Sequence, residues 1–335
     1  MDNLMLKFPH LSEQIFQKLK LNYESLLKSR EVARLWKYLI NERNYLWIHV
    51  VNIPTVLKDN NTYLHLAAKT GKIDAFKTAL NEEEDKNIKN IFHYTAFHYA
   101  SQYGQLQIVE LLLKNTDLNI DFNAKDTSGL TALIFACYNG HSDVVKIIME
   151  SSISLGIDLN AQEIVSGNTA FNAACERGYS DVVKIFMKNA AILNIDLSAK
   201  NFKGFTGFHL ACQRGFVDMV KLFMENATIL SIDLNAKDKK FGWTGFHWAC
   251  WEGPSEGYKP LDPQDVQDTV KIFMENRAIV DLNLKDNKNR TAFHIACEVG
   301  NFNLVKMFME NSATFPFKIF GLQMKNRIDH KTEPL

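Results

Sequence analysis

The sequence predicts an all-helical solenoid, because one short string of residues recurs seven times along the chain. Each copy opens with a threonine and has a glycine nine residues later, as Thr206 and Gly215 show. The opening residues are Thr62, Thr95, Thr131, Thr169, Thr206, Thr244 and Thr291. Since a single unit of this size cannot bury its own apolar face, the units must stack around a continuous core.

The residues between each threonine and its glycine predict a short helix. The threonine hydroxyl can accept from a free N–H of the first turn, and the glycine supplies the positive φ that ends a helix. A second amphipathic helix begins near Asp218 in the fifth copy, and a polar turn rich in Asp and Asn leads to the next threonine. Each copy is therefore a turn, a helix, a turn and a second helix.

This string resembles the ankyrin repeat, whose pattern is a threonine, a small residue, Leu-His, an apolar residue, Ala and then Gly. The resemblance covers about residues 52–313 and implies a solenoid of about seven repeats with hairpin-like turns. Two departures are evident. The proline that usually follows the threonine is absent, and successive threonines lie 33, 36, 38, 37, 38 and 47 residues apart, against about 33 in the family. The extra residues, such as those from Ser151 to Gly156, predict a longer second helix or an added turn.

The composition indicates a folded protein and argues against two classes of partner. The 335 residues are 46% hydrophobic, which is enough for a large core, and 38 basic residues balance 38 acidic ones. This balance argues against a nucleic-acid or anionic-membrane surface. The sequence contains no predicted membrane span or secretory signal, so we expect the protein in the cytoplasm or the nucleus.

The cysteines and half of the histidines follow the repeat and are therefore interpreted as structural. Each cysteine lies six residues after a threonine: Cys137, Cys175, Cys212, Cys250 and Cys297. Five histidines lie three residues after one: His65, His98, His209, His247 and His294. We expect small core residues and hydrogen-bonding ties between turns, without a metal or a cofactor. Since no catalytic motif is present, an enzyme is not predicted.

Residues 1–50 do not fit the repeat. Their apolar residues recur at spacings of three and four, which predicts two or three short amphipathic helices. The pattern resembles an F-box: Phe8-Pro9, then Ile15-Phe16 and Leu19, then Leu26-Leu27 followed by Val32 and Trp36. The resemblance implies docking onto the Skp-type linker subunit of a cullin-RING ubiquitin ligase through Phe8, Pro9, Leu11, Ile15, Phe16, Leu26, Leu27 and Val32. The alternative is that these helices only cap the first repeat.

The ankyrin resemblance also implies a concave binding face made by hairpin tips and first helices. The positions just before each threonine and each glycine would then be exposed, and aromatic residues and Arg are frequent in interface hot spots. The candidate target-binding residues are Tyr103, Tyr138, Arg177, Phe202, Phe205, Arg214, Phe241, Trp243 and Trp251. The alternative is that neighbouring hairpins pack these rings against one another.

These observations divide the chain into three parts: an F-box-like domain (1–50), an ankyrin array (51–313) and a C-terminal cap and tail (314–335). The array carries a long insertion within 254–267, which contains three prolines. The sequence thus suggests an adaptor that binds a ligase scaffold at one end and a target protein on the array. The alternative is an ankyrin scaffold or inhibitor with no link to a ligase.

Overall fold

A computed structural model describes residues 58–251 and 262–311, whose helices form seven consecutive pairs. The first helices of the pairs are α1 (Tyr63–Thr70), α3 (Ala96–Gln102), α5 (Ala132–Asn139), α7 (Ala170–Arg177), α9 (Gly207–Gln213), α11 (Gly245–Ala249) and α13 (Ala292–Val299). The second helices are α2 (Ile73–Glu82), α4 (Leu106–Lys114), α6 (Ser142–Leu155), α8 (Ser180–Leu193), α10 (Val217–Asn226), α12 (Pro263–Glu275) and α14 (Phe302–Glu310). Two short 3-10 helices, Lys58–Asn60 and Thr116–Leu118, complete the described elements, which include no strand. The predicted all-α solenoid is confirmed.

One apolar core runs through the whole described stack. Each first helix packs against the first helices of the neighbouring repeats, and the second helices pack on one another in the same order. Phenylalanines link successive layers: the ring of Phe208 lies 5.3 Å from that of Phe223 and 5.7 Å from that of Phe273 in the next repeat. All three side chains are at most 1% exposed. Each repeat therefore depends on its neighbour to bury its apolar face.

The threonine and histidine of the repeat tie one unit to the next. The backbone N–H of Thr206 donates to Nδ1 of His209 at 3.2 Å, so the ring proton resides on Nε2. That nitrogen donates to the carbonyl oxygen of Trp243 in the next repeat at 3.1 Å. His65, His98 and His247 make the same bridge, to the carbonyls of Tyr94, Leu130 and Arg290. The predicted role of these histidines is confirmed.

The long repeat period arises from the end of the second helix. The helices α6 and α8 each have 14 residues, whereas α4 has nine. Four repeats close this region with a residue in the left-handed conformation: Asn119, Gly156, Asn194 and Ser231. The leucine before each of them packs on the core: Leu118, Leu155, Leu193 and Leu230. The sequence predicts one or the other, and the extra residues form both a longer helix and an added turn.

The cysteines line the contacts between first helices. Cys137, Cys175, Cys212 and Cys250 are fully buried, and Cys297 in the last described repeat is partly buried. Burial raises the pKa of the Cys137, Cys175 and Cys212 thiols well above the usual range, and raises that of Cys297 to about 11. Because the thiolate is the reactive form, the Cys137, Cys175 and Cys212 thiols are inert in the folded protein, whereas the partly buried Cys297 thiol reacts slowly.

We therefore expect a thiol reagent such as dithionitrobenzoate to modify Cys297 first and the other four cysteines only as the protein unfolds. The Cys297→Ala variant should lack the early phase, because Cys297 alone of the five is incompletely buried. The measurement is the time course of reagent absorbance at neutral pH, with and without urea. An early phase of the same size in the variant would show that the first-helix contacts open in the native state.

Candidate protein interaction surface

A hairpin-like finger precedes each first helix from α3 to α13. We use the word finger for the segment between a second helix and the next first helix. One polar side chain closes each finger tip. In the last described finger, Oδ1 of Asp286 accepts from the backbone N–H groups of Lys288 and Arg290, both at 2.8 Å. Asn201 does the same for Lys203 and Phe205 at 3.0 and 2.9 Å. The recurring Asp or Asn therefore fixes the shape of the tip.

Backbone hydrogen bonds join each finger tip to the next one. Phe202 N donates to the carbonyl of Ser166 at 2.8 Å, and Lys239 N donates to that of Lys203 at 3.0 Å. The remaining links are Ile91 to Asp59, Thr127 to Phe92, Ile164 to Ser128 and Asn287 to Phe241, at 2.9–3.1 Å. The tips thus form one continuous surface, the finger edge, which runs from repeat two to repeat seven.

The close approach of two fingers explains why position 204 is a glycine. Its φ is +81°, and an added Cβ would lie 2.6 Å from the backbone nitrogen of Lys239 in the next finger. Gly156, which ends α6, has a φ of +62° but no described atom within 4 Å of the Cβ position. Both glycines have a positive φ that other residues adopt only with strain, but only Gly204 lacks the space for a Cβ atom.

The Gly204→Ala substitution should therefore destabilise the protein more than Gly156→Ala. The positive φ costs about 1–2 kcal/mol in both variants, and the backbone clash adds about 1–3 kcal/mol to the first alone. The urea midpoints of the two variants, followed by circular dichroism, would measure the difference. Equal midpoints would show that the fingers separate freely, against the hydrogen-bonded edge described above.

Large apolar side chains stand exposed on the finger edge. They are Ile91 (50%), Phe92 (46%), Ile164 (63%), Val165 (75%) and Phe202 (55%). The sequence predicts an exposed Phe202 but not an exposed Ile164 or Val165, because the ankyrin resemblance implies exposure only near the threonines and glycines. The finger of repeat four also differs in using Glu163 in place of Asp or Asn at its tip. The recurring polar tip residue is the signal that locates these exposed positions.

The predicted target-binding residues divide into three groups. Tyr103 (44%), Phe202 (55%) and Arg177 are exposed, whereas Tyr138, Arg214, Phe241 and Trp251 are partly buried. Phe205 and Trp243 are buried, with 5% and 4% of their surface exposed. The expectation that these last two are exposed is wrong.

The structure shows why Phe205 and Trp243 are buried. The indole N–H of Trp243 donates to Asp286 Oδ2 of the next finger at 3.0 Å, and its ring centroid lies 4.7 Å from that of Trp248. The ring of Phe205 lies 5.0 Å from that of Trp248 in edge contact. Both rings therefore join successive repeats, which is the alternative that the sequence left open.

Asp286 is the polar centre of this contact. Burial would raise the pKa of its carboxyl group, but hydrogen bonds from Arg290, Trp243 and the Lys288 amide outweigh burial and lower the pKa to about 2. Arg290 also pairs with Glu298 of its own repeat. Asp286 thus stays ionised and holds the sixth and seventh repeats together.

Three pairs of side chains join the ends of first helices across repeats. In each pair, the residue before a glycine contacts the residue two positions before the glycine of the preceding repeat. Lys69 Nζ lies 5.2 Å from the centroid of the Tyr103 ring, and the Arg177 guanidinium lies 5.5 Å from that of Tyr138. Arg214 replaces the cation–aromatic contact with an ion pair to Glu176 at 3.2 Å. These side chains stiffen the face behind the finger edge.

Several predicted features lie outside the described residues. These are the F-box-like segment 1–50 with Phe8, Pro9, Leu11, Ile15, Phe16, Leu26, Leu27 and Val32, the tail 314–335, and most of the insertion 254–267. They remain predictions. Within the described ranges, no cluster of three or more His, Cys, Asp or Glu side chains could hold a metal ion, and no helix is long and apolar enough to cross a membrane.

The fold and the repeated ties place this chain in a known family. The family model "Ankyrin repeats (3 copies)" matches residues 32–126 and 118–201, more than half of the chain, and further ankyrin repeat models match 203–239 and 288–315. The chain belongs to the ankyrin repeat family. The first match begins at residue 32, inside the segment where the sequence predicts F-box-like helices.

The chain is similar to curated proteins over limited stretches. It is 30% identical over 106 residues to the human transient receptor potential cation channel subfamily A member 1, covering 31% of this chain and 9% of that protein. It is 33% identical over 89 residues to the rice (Oryza sativa subsp. japonica) protein named probable E3 ubiquitin-protein ligase XBOS33, covering 27% of this chain and 17% of that protein. The chain thus spans less than a fifth of either relative.

Solved structures confirm the fold. The ankyrin repeat domain of Bcl-3, a member of the IkappaB family, aligns with a TM-score of 0.57 at 21% identity, covering 71% of this chain and 95% of that one. The human ASB11 ankyrin repeat domain aligns with a TM-score of 0.55 at 20% identity, covering 70% and 92%. At these identities the likeness concerns the architecture.

Proposed function

We propose that this protein is an adaptor that captures a target protein on its finger edge and presents it to a cullin-RING ubiquitin ligase. The observation that carries the proposal is the row of exposed apolar side chains on hydrogen-bonded fingers. Five such side chains, from Ile91 to Phe202, are 46–75% exposed. Exposed apolar groups held on a rigid scaffold are characteristic of interaction sites.

The size of the apolar row is sufficient for specific binding. Fully burying one such side chain contributes about 1.5–3 kcal/mol, so three or four would offset much of the entropic cost of association. The fingers are already joined through their backbones, so little ordering is required when a partner binds. Tyr103, with 44% of its surface exposed, and Arg177 lie on the first helices behind the edge and would contact the same partner.

The ligase arm of the proposal rests on the sequence of residues 8–40, which resembles an F-box. The likeness to a rice protein named as a probable E3 ubiquitin-protein ligase is consistent with a role in ubiquitin transfer, although it covers 27% of this chain. In this account the catalytic groups belong to other subunits, and the protein acts in the cytoplasm or the nucleus. The alternative is an ankyrin scaffold or inhibitor whose first 50 residues only cap the array.

A binding assay with a purified Skp-type linker subunit tests the ligase arm. The full chain should retain the linker subunit on affinity beads, and a variant with Pro9→Ala, Ile15→Asp and Leu27→Asp should not. The matched control is Ile153→Asp with Ile192→Asp, which places the same charged residues at exposed positions of α6 and α8. Circular dichroism would establish that all three proteins are folded. Failure of the folded parent to bind would favour the scaffold alternative.

A further inference from the structure

The fingers of repeats five to seven carry a local concentration of positive charge. Seven lysines are exposed there: Lys200, Lys203, Lys237, Lys239, Lys240, Lys285 and Lys288, which we name the lysine edge. The fingers of repeats three and four together have one lysine, Lys125. Because the whole chain has equal numbers of basic and acidic residues, the lysine edge is a feature of one end of the array.

The ammonium groups of the lysine edge are available for a partner. Within the described ranges, none of them lies within 4.0 Å of a carboxylate. Lys200 Nζ donates to the carbonyl of Lys237 at 3.1 Å, and Lys237 Nζ donates to that of Lys285 at 2.6 Å. These bonds align ammonium groups from successive fingers in a row. Since an ammonium group has three donors, two remain on each of these lysines.

The carboxylates of the same fingers leave this charge uncompensated. Asp238 and Asp286 are buried and accept from the indole N–H groups of Trp248 and Trp243, at 2.9 and 3.0 Å. The exposed aspartates, Asp196, Asp233 and Asp281, each lie four residues before a lysine and accept from a backbone N–H of their own turn. Seven exposed lysines therefore face three exposed aspartates, and the excess is positive.

The lysine edge continues directly from the apolar tips. Phe202 is the last exposed apolar tip, and Lys203 follows it in the chain. The Lys239 amide then bonds to the Lys203 carbonyl at 3.0 Å, so the next tip abuts this one. We propose that the lysine edge binds an acidic segment of the target protein, whose neighbouring apolar residues lie on the tips of repeats two, four and five. This inference rests on the proposed role of the finger edge in target binding.

An acidic protein segment fits this surface better than a nucleic acid or a membrane. A nucleic acid would draw its affinity from phosphate contacts, so the exposed Ile164 and Val165 on the same edge would gain nothing from it. A lipid surface requires a broad basic face, whereas the lysines here follow one row of fingers. A polypeptide that carries both carboxylates and apolar side chains can contact the lysine edge with the former and the apolar tips with the latter.

The test uses the full chain and a fluorescein-labelled peptide of about ten residues, in which pairs of glutamates alternate with single leucines. Fluorescence anisotropy should show saturable binding that weakens with salt. A variant with Lys203→Glu, Lys240→Glu and Lys288→Glu should bind about tenfold more weakly or worse, since three exposed ion pairs become repulsions. The matched control, Lys146→Glu with Lys188→Glu and Lys221→Glu, changes the net charge equally on exposed positions of second helices and should bind as the parent does.

Three results would overturn the inference: no binding by the parent, an equal loss in the two charge variants, or unchanged binding by the lysine-edge variant. Labelled single-stranded DNA and vesicles containing phosphatidylserine are measured in parallel. Tighter binding of either one than of the peptide, lost in the lysine-edge variant, would assign the surface to that other class of partner. Capture of the linker subunit is measured on the same proteins and should be equal in all of them. A failure of the lysine edge is thereby distinguished from a failure of the ligase arm.

Discussion

Acidification from about pH 7 to about pH 4 is expected to destabilise the array by several kcal/mol, because its bridging histidines bind a proton less readily in the folded state than in the unfolded state. Burial lowers the pKa of His98 and of His209 from 6.5 to about 4, against the opposing hydrogen bonds to the Leu130 and Trp243 carbonyls. Protonation would also place a hydrogen on Nδ1, which already accepts from the threonine amide. His65 and His247 are shifted in the same direction.

The direction follows from proton linkage. Between about pH 6.5 and about pH 4 the unfolded chain binds protons that the folded chain does not, so the free energy of unfolding falls as the pH falls. One pKa unit corresponds to about 1.4 kcal/mol, so His98 and His209 each contribute about 3 kcal/mol across this window. Asp286, whose pKa is about 2, loses its stabilising effect only below this range.

Urea unfolding at several pH values measures this effect, and the fourth repeat suggests the control. There Asn172 takes the place of the histidine and donates to the Ala199 carbonyl at 3.1 Å. The double variant His98→Asn with His209→Asn should therefore keep a bridge between repeats but lose much of the acid sensitivity. A parent and a double variant that lose the same stability on acidification would contradict the assignment to these rings.

Removal of the Phe205 ring is expected to cost about 3–5 kcal/mol of stability, although the sequence placed this residue on the binding surface. Its ring is 5% exposed, stacks on His209 at 5.8 Å and meets Trp248 at 5.0 Å. Phe205→Ala would leave a cavity between the fifth and sixth repeats. Thermal and urea unfolding of the purified variant would measure the loss.

Phe202→Ala is the matched control, because it deletes the same ring three residues earlier on the exposed tip. With 55% of its surface exposed, Phe202 should contribute less than about 0.5 kcal/mol to stability. Its loss should instead weaken the binding of a target. Equal destabilisation by the two substitutions would mean that Phe202 packs within the fold. Phe202 would then not belong to the exposed apolar residues proposed to bind the target.

Much of the fold was predictable because its determinants are local and periodic. The threonine cap, the bridging histidine and the helix-ending glycine each act within a few residues or between adjacent repeats, so their spacing reveals their roles. The added turn at Gly156 and Asn194 follows from the same periodicity. Because the helices before and after keep their places in the stack, extra residues between them must lengthen the second helix or form a turn.

The candidate site was less predictable because exposure depends on the neighbouring repeat. Trp243 and Phe205 lie directly before an opening threonine and are buried, whereas Phe202 lies four residues before its threonine and extends from a tip. The tip residues of the finger of repeat four, Ile164 and Val165, lie outside the positions that the family pattern emphasises. The polar tip residue, Glu163 or Asn201, marks where the exposed positions lie, and the stacking of fingers buries the ring that directly precedes the threonine.

The most direct test of the adaptor account is whether one molecule holds a target segment and the linker subunit together. Sedimentation velocity with fluorescence detection would follow the labelled acidic peptide bound to the full chain, before and after addition of the Skp-type linker subunit. The account predicts that the label moves faster and sediments with the three-component complex. A label whose sedimentation is unchanged by the linker subunit, or that the linker subunit releases, would contradict it.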